Sequence, residues 1–216
     1  RRELELLLAE PHPAPALALV AELGLLPAIV PDLKWSEEVR SYLLEVEGQL
    51  AWHQLEQLGP TPESWVLYLG GLALQAGPEA GDRLVERLQL GGSVRQQFLD
   101  LAGEVADIER AADPDSPRSK RVRLVEEAST EALLLGMAAL PLERRRLVAD
   151  AAVAAARVRV PVTGRQLIDA GVAPGPHVGR TLQLARDAMV DQVVTPDEAF
   201  EWALETARSL DFRGGV

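Results

Sequence analysis

Ten basic side chains fall between residues 116 and 165, against five acidic ones. They are Arg118, Lys120, Arg121 and Arg123, then Arg144, Arg145 and Arg146, then Arg157, Arg159 and Arg165. Arg180 follows, close to a helix start at Pro176 whose free backbone amides suit a phosphate. Guanidinium forks pair with phosphate oxygens through parallel hydrogen bonds, so this window reads as a phosphate-facing patch. The competing reading is that Glu126, Glu127, Glu131 and Glu143 neutralise these cations on solvated helix faces.

The rest of the chain is acidic. Net charge is −11, and residues 1–60 and 61–115 each hold four basic and ten acidic side chains. A surface basic all over is thereby excluded, and the acidic total opposes RNA binding, because non-specific affinity comes mainly from phosphate neutralisation. Other chemistry is sparse. The chain has no cysteine, which excludes thiol catalysis, disulfides and Cys-based zinc sites. His12, His53 and His177 show no ligand spacing for a metal. Asp113-Pro114-Asp115 resembles an acidic metal pair, but no strand holds it rigid, so it reads as loop solvation. No nucleophile elbow and no phosphate-binding glycine loop after a strand are present. Trp35, Trp52, Trp65 and Trp202 sit on helical stripes and read as core packing. On its residues alone the chain is a helical scaffold or a binding module.

The elements that would position these residues are helices. Apolar residues recur with helical period nearly throughout, which predicts an all-α fold, an extended array of packed helix hairpins with about 10 helices and no sheet. Helices are expected from Leu4 through Leu8, from Pro15 to Leu23, and from Ser36 to Leu58 with Val39, Tyr42, Leu43, Val46, Leu50 and Leu55 as its apolar stripe. Thr61-Pro62-Glu63 is expected to start the next, and Gly70-Gly71 inside it marks close helix approach or a break. Further helices are expected over Pro78–Leu88, Ser93–Ala112, Val122–Met137 and Leu142–Val158. The last starts at Thr195-Pro196-Asp197-Glu198, with Trp202 and Leu204 on its apolar side, and frays by Gly214-Gly215. The connector at residues 25–31 reads as apolar and buried, the polar 111–120 loop as a mobile boundary, and 157–162 as extended linker. Domain expectations are 1–33, 34–115 and 116–216. No stretch approaches the roughly 18 apolar residues of a membrane span, and no secretory signal is seen. The opening RRELELLLAE enters in mid-helix, as a piece of a longer gene product would.

Pro161–Asp191 is the most constrained stretch. Thr163 and Gln166 have capping-box spacing, Gly171 ends that helix, and Pro174-Gly175-Pro176 sets up another. Its string TGRQLIDAGVAPGPHVGRTL resembles a signature near the C-terminus of bacterial class II tRNA nucleotidyltransferases and poly(A) polymerases, carried by Thr163, Gly164, Leu167, Gly171, Pro174, Gly175, Pro176 and Gly179. Gln166 stands where that family has an acidic residue. RRELELLLAEPHPAPALALVAELGLLPAIVPDL similarly resembles the family's neck helices. The resemblance implies neck helices over 1–33, a helical body over 34–115 and a tail over 116–216. It implies a non-catalytic region that holds the acceptor arm and elbow of tRNA while a separate N-terminal head adds nucleotides. That head would carry the Mg2+ and the ATP or CTP, leaving this chain without a cofactor and inactive alone. Arg186-Asp187 echoes the head's nucleotide-reading pair but lies in the tail and is not carried over. The partners implied are tRNA and the head, in the cytoplasm and without a membrane. The alternatives are a helical protein-interaction module and, less favoured by the empty catalytic inventory, an autonomous enzyme.

Overall fold

Ser36 shows how the chain's helices begin. Its hydroxyl accepts from the Val39 amide at 3.3 Å, satisfying one of the amides left open at a helix start. The computed structural model describes residues 1–211. In order they form α1 (Arg2–Leu8), α2 (Pro13–Glu22), α3 (Leu26–Ile29), α4 (Glu37–Glu56), α5 (Ser64–Ala76), α6 (Ala80–Arg87) and α7 (Gly92–Ala111). Then follow α8 (Arg118–Glu127), α9 (Thr130–Ala139), α10 (Leu142–Arg157), α11 (Gly164–Asp169), α12 (Pro176–Val190) and α13 (Ala199–Asp211). The described residues are all-α, without a strand. The expected fraying at Gly214-Gly215 lies outside them.

Thirteen helices form among the described residues where about ten were expected, for local reasons. The apolar connector at 25–31 contains the turn α3. The single helix expected over Val122–Met137 is two. Ala128 leaves the helical region at ψ 151, and Ser129 caps α9 by accepting from the Ala132 amide at 3.2 Å. The Ser129 amide in turn donates to Glu104 at 3.1 Å. Thr61-Pro62-Glu63 does not itself start α5; the helix begins at Ser64, and Glu63 accepts from the Trp65 indole at 2.6 Å. The α4 stripe is also displaced. Leu55 is 83% exposed, whereas Gln49 and His53 are buried in line with Val39, Tyr42, Leu43 and Val46.

Buried side chains gather in three clusters. The first joins α1–α7 to one face of α9, with Leu8, Leu17, Leu43, Leu67, Tyr68, Leu72, Leu134 and Leu135 fully buried. Gly70-Gly71 is an unbroken part of α5 packed tightly: a Cβ on Gly70 would lie 3.0 Å from Leu101, and one on Gly71 3.2 Å from Leu135. The second cluster lies among α7, α8, α9 and α10 around Ile108, Val122, Met137, Val148 and Ala151. The third is confined to α11–α13 and their flanking loops, around Val162, Leu167, Ala185 and Ala203. Val190, at the end of α12, belongs to the second cluster and ties the third to it. The 111–120 loop is short and held: Asp113 accepts from the Asp115 amide and the Ser116 hydroxyl, each at 3.1 Å, and helix resumes at Arg118.

Candidate nucleic-acid interface

Helix α8 packs along α10, and α12 touches α8, so the basic window forms one neighbourhood with the tail. Partners from distant parts of the chain divide its side chains into two groups. Arg118 grips Asp150 with two hydrogen bonds, at 2.6 and 2.8 Å, and donates to the Val190 carbonyl at 3.0 Å. The bonds to Asp150 raise its pKa above the ordinary guanidinium value. Arg144 donates to the Ala112 and Glu109 carbonyls at 3.1 and 3.3 Å, closing the C-terminus of α7. Arg145 bonds Glu45 at 2.6 Å and the Leu140 carbonyl at 3.0 Å. Arg157 pairs with Glu56 at 2.6 Å, and Arg123 lies 3.4 Å from Asp187. These five arginines position helices.

The second group is open. Lys120, Arg146, Arg165 and Arg180 are exposed and make no hydrogen bond or ion pair among the described residues. Arg159 bonds only the nearby carbonyls of Ala155 and Val158. Arg121 is half-buried, and its Nε has no partner. These six cations come from α8, α10, the 158–163 linker, α11 and α12. Counterions or phosphates can reach them without breaking the fold.

The tail stretch forms as its spacing requires. Thr163 Oγ1 accepts from the Gln166 amide at 3.3 Å, while the Thr163 amide donates to Gln166 Oε1 at 2.8 Å, completing the capping box. Gln166, where the family resembled has an acid, thus still acts as the capping acceptor. Gly171 ends α11 at φ +93, a conformation L side chains avoid. Gly164 packs beneath α12, where a Cβ would stand 3.1 Å from Val178. Pro176 occupies the first turn of α12 after Pro174 and Gly175, and Gly179 faces open space. Two helices are thereby fixed in a tight corner, with Arg165 and Arg180 exposed on them.

Four residue pairs seat this tail on the body. Besides Arg118 with the Val190 carbonyl, the Asp191 carboxylate accepts from the Ser119 amide and hydroxyl, both at 2.7 Å. Arg186 makes a two-bond grip on Glu126, one bond at 2.8 Å, which raises its pKa, and Asp187 faces Arg123. The Arg186-Asp187 pair is therefore structural.

The fold and this arrangement can be set against known proteins. Over 215 residues the chain is 28% identical to the A-adding tRNA nucleotidyltransferase of Geobacter sulfurreducens, covering 96% of this chain and 24% of that protein. It resembles part of a tRNA nucleotidyltransferase. The fold of Thermotoga maritima CCA-adding enzyme, solved in complex with tRNA, matches 97% of the chain and 50% of the enzyme at TM-score 0.76 and 18% identity. An apo CCA-adding enzyme matches 95% of the chain and 48% of its own length, at TM-score 0.72 and 16% identity. The chain thus spans about a quarter of the curated tRNA nucleotidyltransferase and about half of the solved CCA-adding enzymes. No protein-family profile matches it. No helix among the described residues is long and apolar enough to cross a membrane.

Asp113 is engaged within its own loop, where bonds from the Asp115 amide and the Ser116 hydroxyl hold its pKa below the usual carboxylate range. Among the described residues no three His, Cys, Asp or Glu side chains converge on one point. Sequence reasoning overlooked Gln49, a buried amide at a stripe position that the apolar pattern assigned to Leu50. Its presence within an otherwise apolar helix face was the available signal.

Proposed function

We propose that the chain is a non-catalytic tRNA-binding region, which holds the acceptor arm and elbow so that a separate nucleotidyltransferase head can extend the 3′ end. What carries this reading is the likeness over nearly the whole chain to an enzyme solved with tRNA bound. The six uncommitted cations near the tail corner supply attraction for phosphate despite the acidic total. Exposed Leu19, Leu23 and Leu25, each more than half accessible on α2 or just after it, offer apolar surface for the head to cover. Mg2+ and ATP or CTP belong to that head, and the working compartment is the cytoplasm. No residue of this chain touches the reacting atoms.

The test is tRNA binding across a salt series. Affinity should fall steeply with salt, with log K losing about 0.7–0.9 per tenfold salt for each phosphate contact. Charge reversal at Arg146, Arg165 and Arg180 should weaken binding and flatten that slope without unfolding the chain, because none has an internal partner. Reversal at Arg144 or Arg145 instead breaks helix-positioning bonds. Tight, salt-insensitive binding to a protein, with none to tRNA, would overturn the proposal in favour of an interaction module.

A further inference from the structure

Between α4 and α10 lies a cleft of about 280 Å³, lined by Gln49, Trp52, Met137, Leu142, Arg145, Arg146 and Ala149. Met137 of α9 contributes to its lining, and ion pairs join α4 to α10 through Glu45–Arg145 and Glu56–Arg157. Glu45, Gln49, Trp52 and Glu56 follow helical three- and four-residue spacing, which places the two tethers on either side of the lined segment.

Three features of its lining are unusual for a void between helices. Gln49 is only 6% exposed and its amide makes no hydrogen bond to another described residue, yet the amide is not among the enclosed unpartnered atoms, so it opens onto the cleft. An amide held by an otherwise enclosed residue and open to the cleft has its donor and acceptor available to a ligand. Arg145 has a buried Nε without a partner, and Arg146 is exposed and unpaired. Trp52 is half-buried, set between the first and second core clusters and reaching the cleft. One aromatic wall, apolar sides from Met137, Leu142 and Ala149, an amide that both donates and accepts, and a guanidinium at hand are the components of a slot for a base. At about 280 Å³ it is near the small end of ligand pockets, about 300–1,000 Å³, which suits one planar ring system.

We infer that this cleft takes a single unpaired nucleobase of the bound RNA. The base stacks on Trp52, its hydrogen-bonding edge meets the Gln49 amide, and Arg146 takes the adjoining phosphate. The inference rests on the tRNA-binding reading and adds a position-specific contact to it. A charged surface alone would explain binding without using Gln49.

The decisive variant is Gln49→Leu, which keeps volume and removes an amide that holds no internal bond. The chain should remain folded, with Tm little changed, because no internal hydrogen bond is lost. Affinity for an unmodified tRNA transcript should drop between about 5- and 100-fold, with the salt slope unaltered because no phosphate contact is lost. Arg146→Gln should weaken binding and also lower the slope. Cross-linking of a 4-thiouridine transcript to the parental chain provides a second readout, with adducts on residues 49–52 or 142–149. Parental tRNA affinity in Gln49→Leu, or adducts that all lie elsewhere, overturns the slot and leaves tRNA binding intact. A parental chain that binds no tRNA overturns both readings.

Discussion

Asp191 caps a helix that lies 72 residues away in sequence. Helix α8 follows Pro117, has no side-chain cap of its own and no acidic residue in its first turn. Asp191, at the C-terminal end of α12, fills that place by accepting two hydrogen bonds of 2.7 Å from Ser119, which is 5% exposed. In Asp191→Ala the capping acceptor is lost, a cost of about 1 kcal/mol. The buried Ser119 hydroxyl also loses a charge-assisted partner, about 1–3 kcal/mol more. The expected loss is therefore about 2–4 kcal/mol in urea or thermal unfolding, with Tm falling about 2–4 °C per kcal/mol in a domain of this size. Asp191→Asn retains an acceptor and should cost less than half as much. The tail should loosen with the alanine change, so tRNA binding should weaken even though every uncommitted cation is still present. A stability for Asp191→Ala within about 0.5 kcal/mol of the parent, or equal losses for alanine and asparagine, would refute this account of the joint.

Further outcomes follow from packing and titration. Gly136→Ala should destabilise by about 1–2 kcal/mol net, since its Cβ would stand 2.7 Å from Ile108 Cγ2. Gly48→Ala, in α4 with nothing within 4 Å, should stabilise by up to about 1 kcal/mol; chemical denaturation compares the pair directly. His53 is buried with Nδ1 unpartnered, and burial pushes its pKa below the ordinary 6.5. The unfolded chain therefore binds the proton more readily, so His53's contribution is complete above pH 6.5 and lost as pH falls toward its folded value. His53→Phe should flatten that part of the stability–pH curve relative to the parent, as read by urea midpoints across pH. Glu198 accepts from the Thr195 hydroxyl at 2.7 Å, and this bond is the first cause of its lowered pKa. Thr195→Val should return the Glu198 titration, followed by NMR, toward the usual glutamate range.

Local chemistry made much of the fold legible. The Thr163–Gln166 box, the Gly171 stop and the Pro176 start all depend on neighbours within a few residues, and the structure has them as the spacing demands. Breaks set by distant partners were not legible. The α8–α9 boundary at Ser129 depends partly on Glu104, and nothing near Ser129 in sequence announces that carboxylate. The same limit applies to the basic window. Whether an arginine is open or engaged depends on Asp150, Glu45 and Glu56, which lie 32, 100 and 101 residues away. Arg144, Arg145 and Arg146 are identical as a string, yet only Arg146 is unpaired. The α4 stripe failed for another reason: Leu55 is more apolar than Gln49 or His53, but helix geometry turns it to solvent.

The tail is seated largely by charge: Arg118, Arg123, Arg186, Asp187, Asp191 and Glu126 provide the bridge, with Val190 as its apolar pin. Added salt therefore acts at two places in the same titration. It screens the exposed cations from phosphate, and it softens the seat that holds Arg165 and Arg180 at their angle to the body. The steepness of a binding titration then includes a mechanical part as well as a count of phosphates. Pinning the corner to α8 by a covalent cross-link would remove the mechanical part and leave the phosphates alone to set the slope.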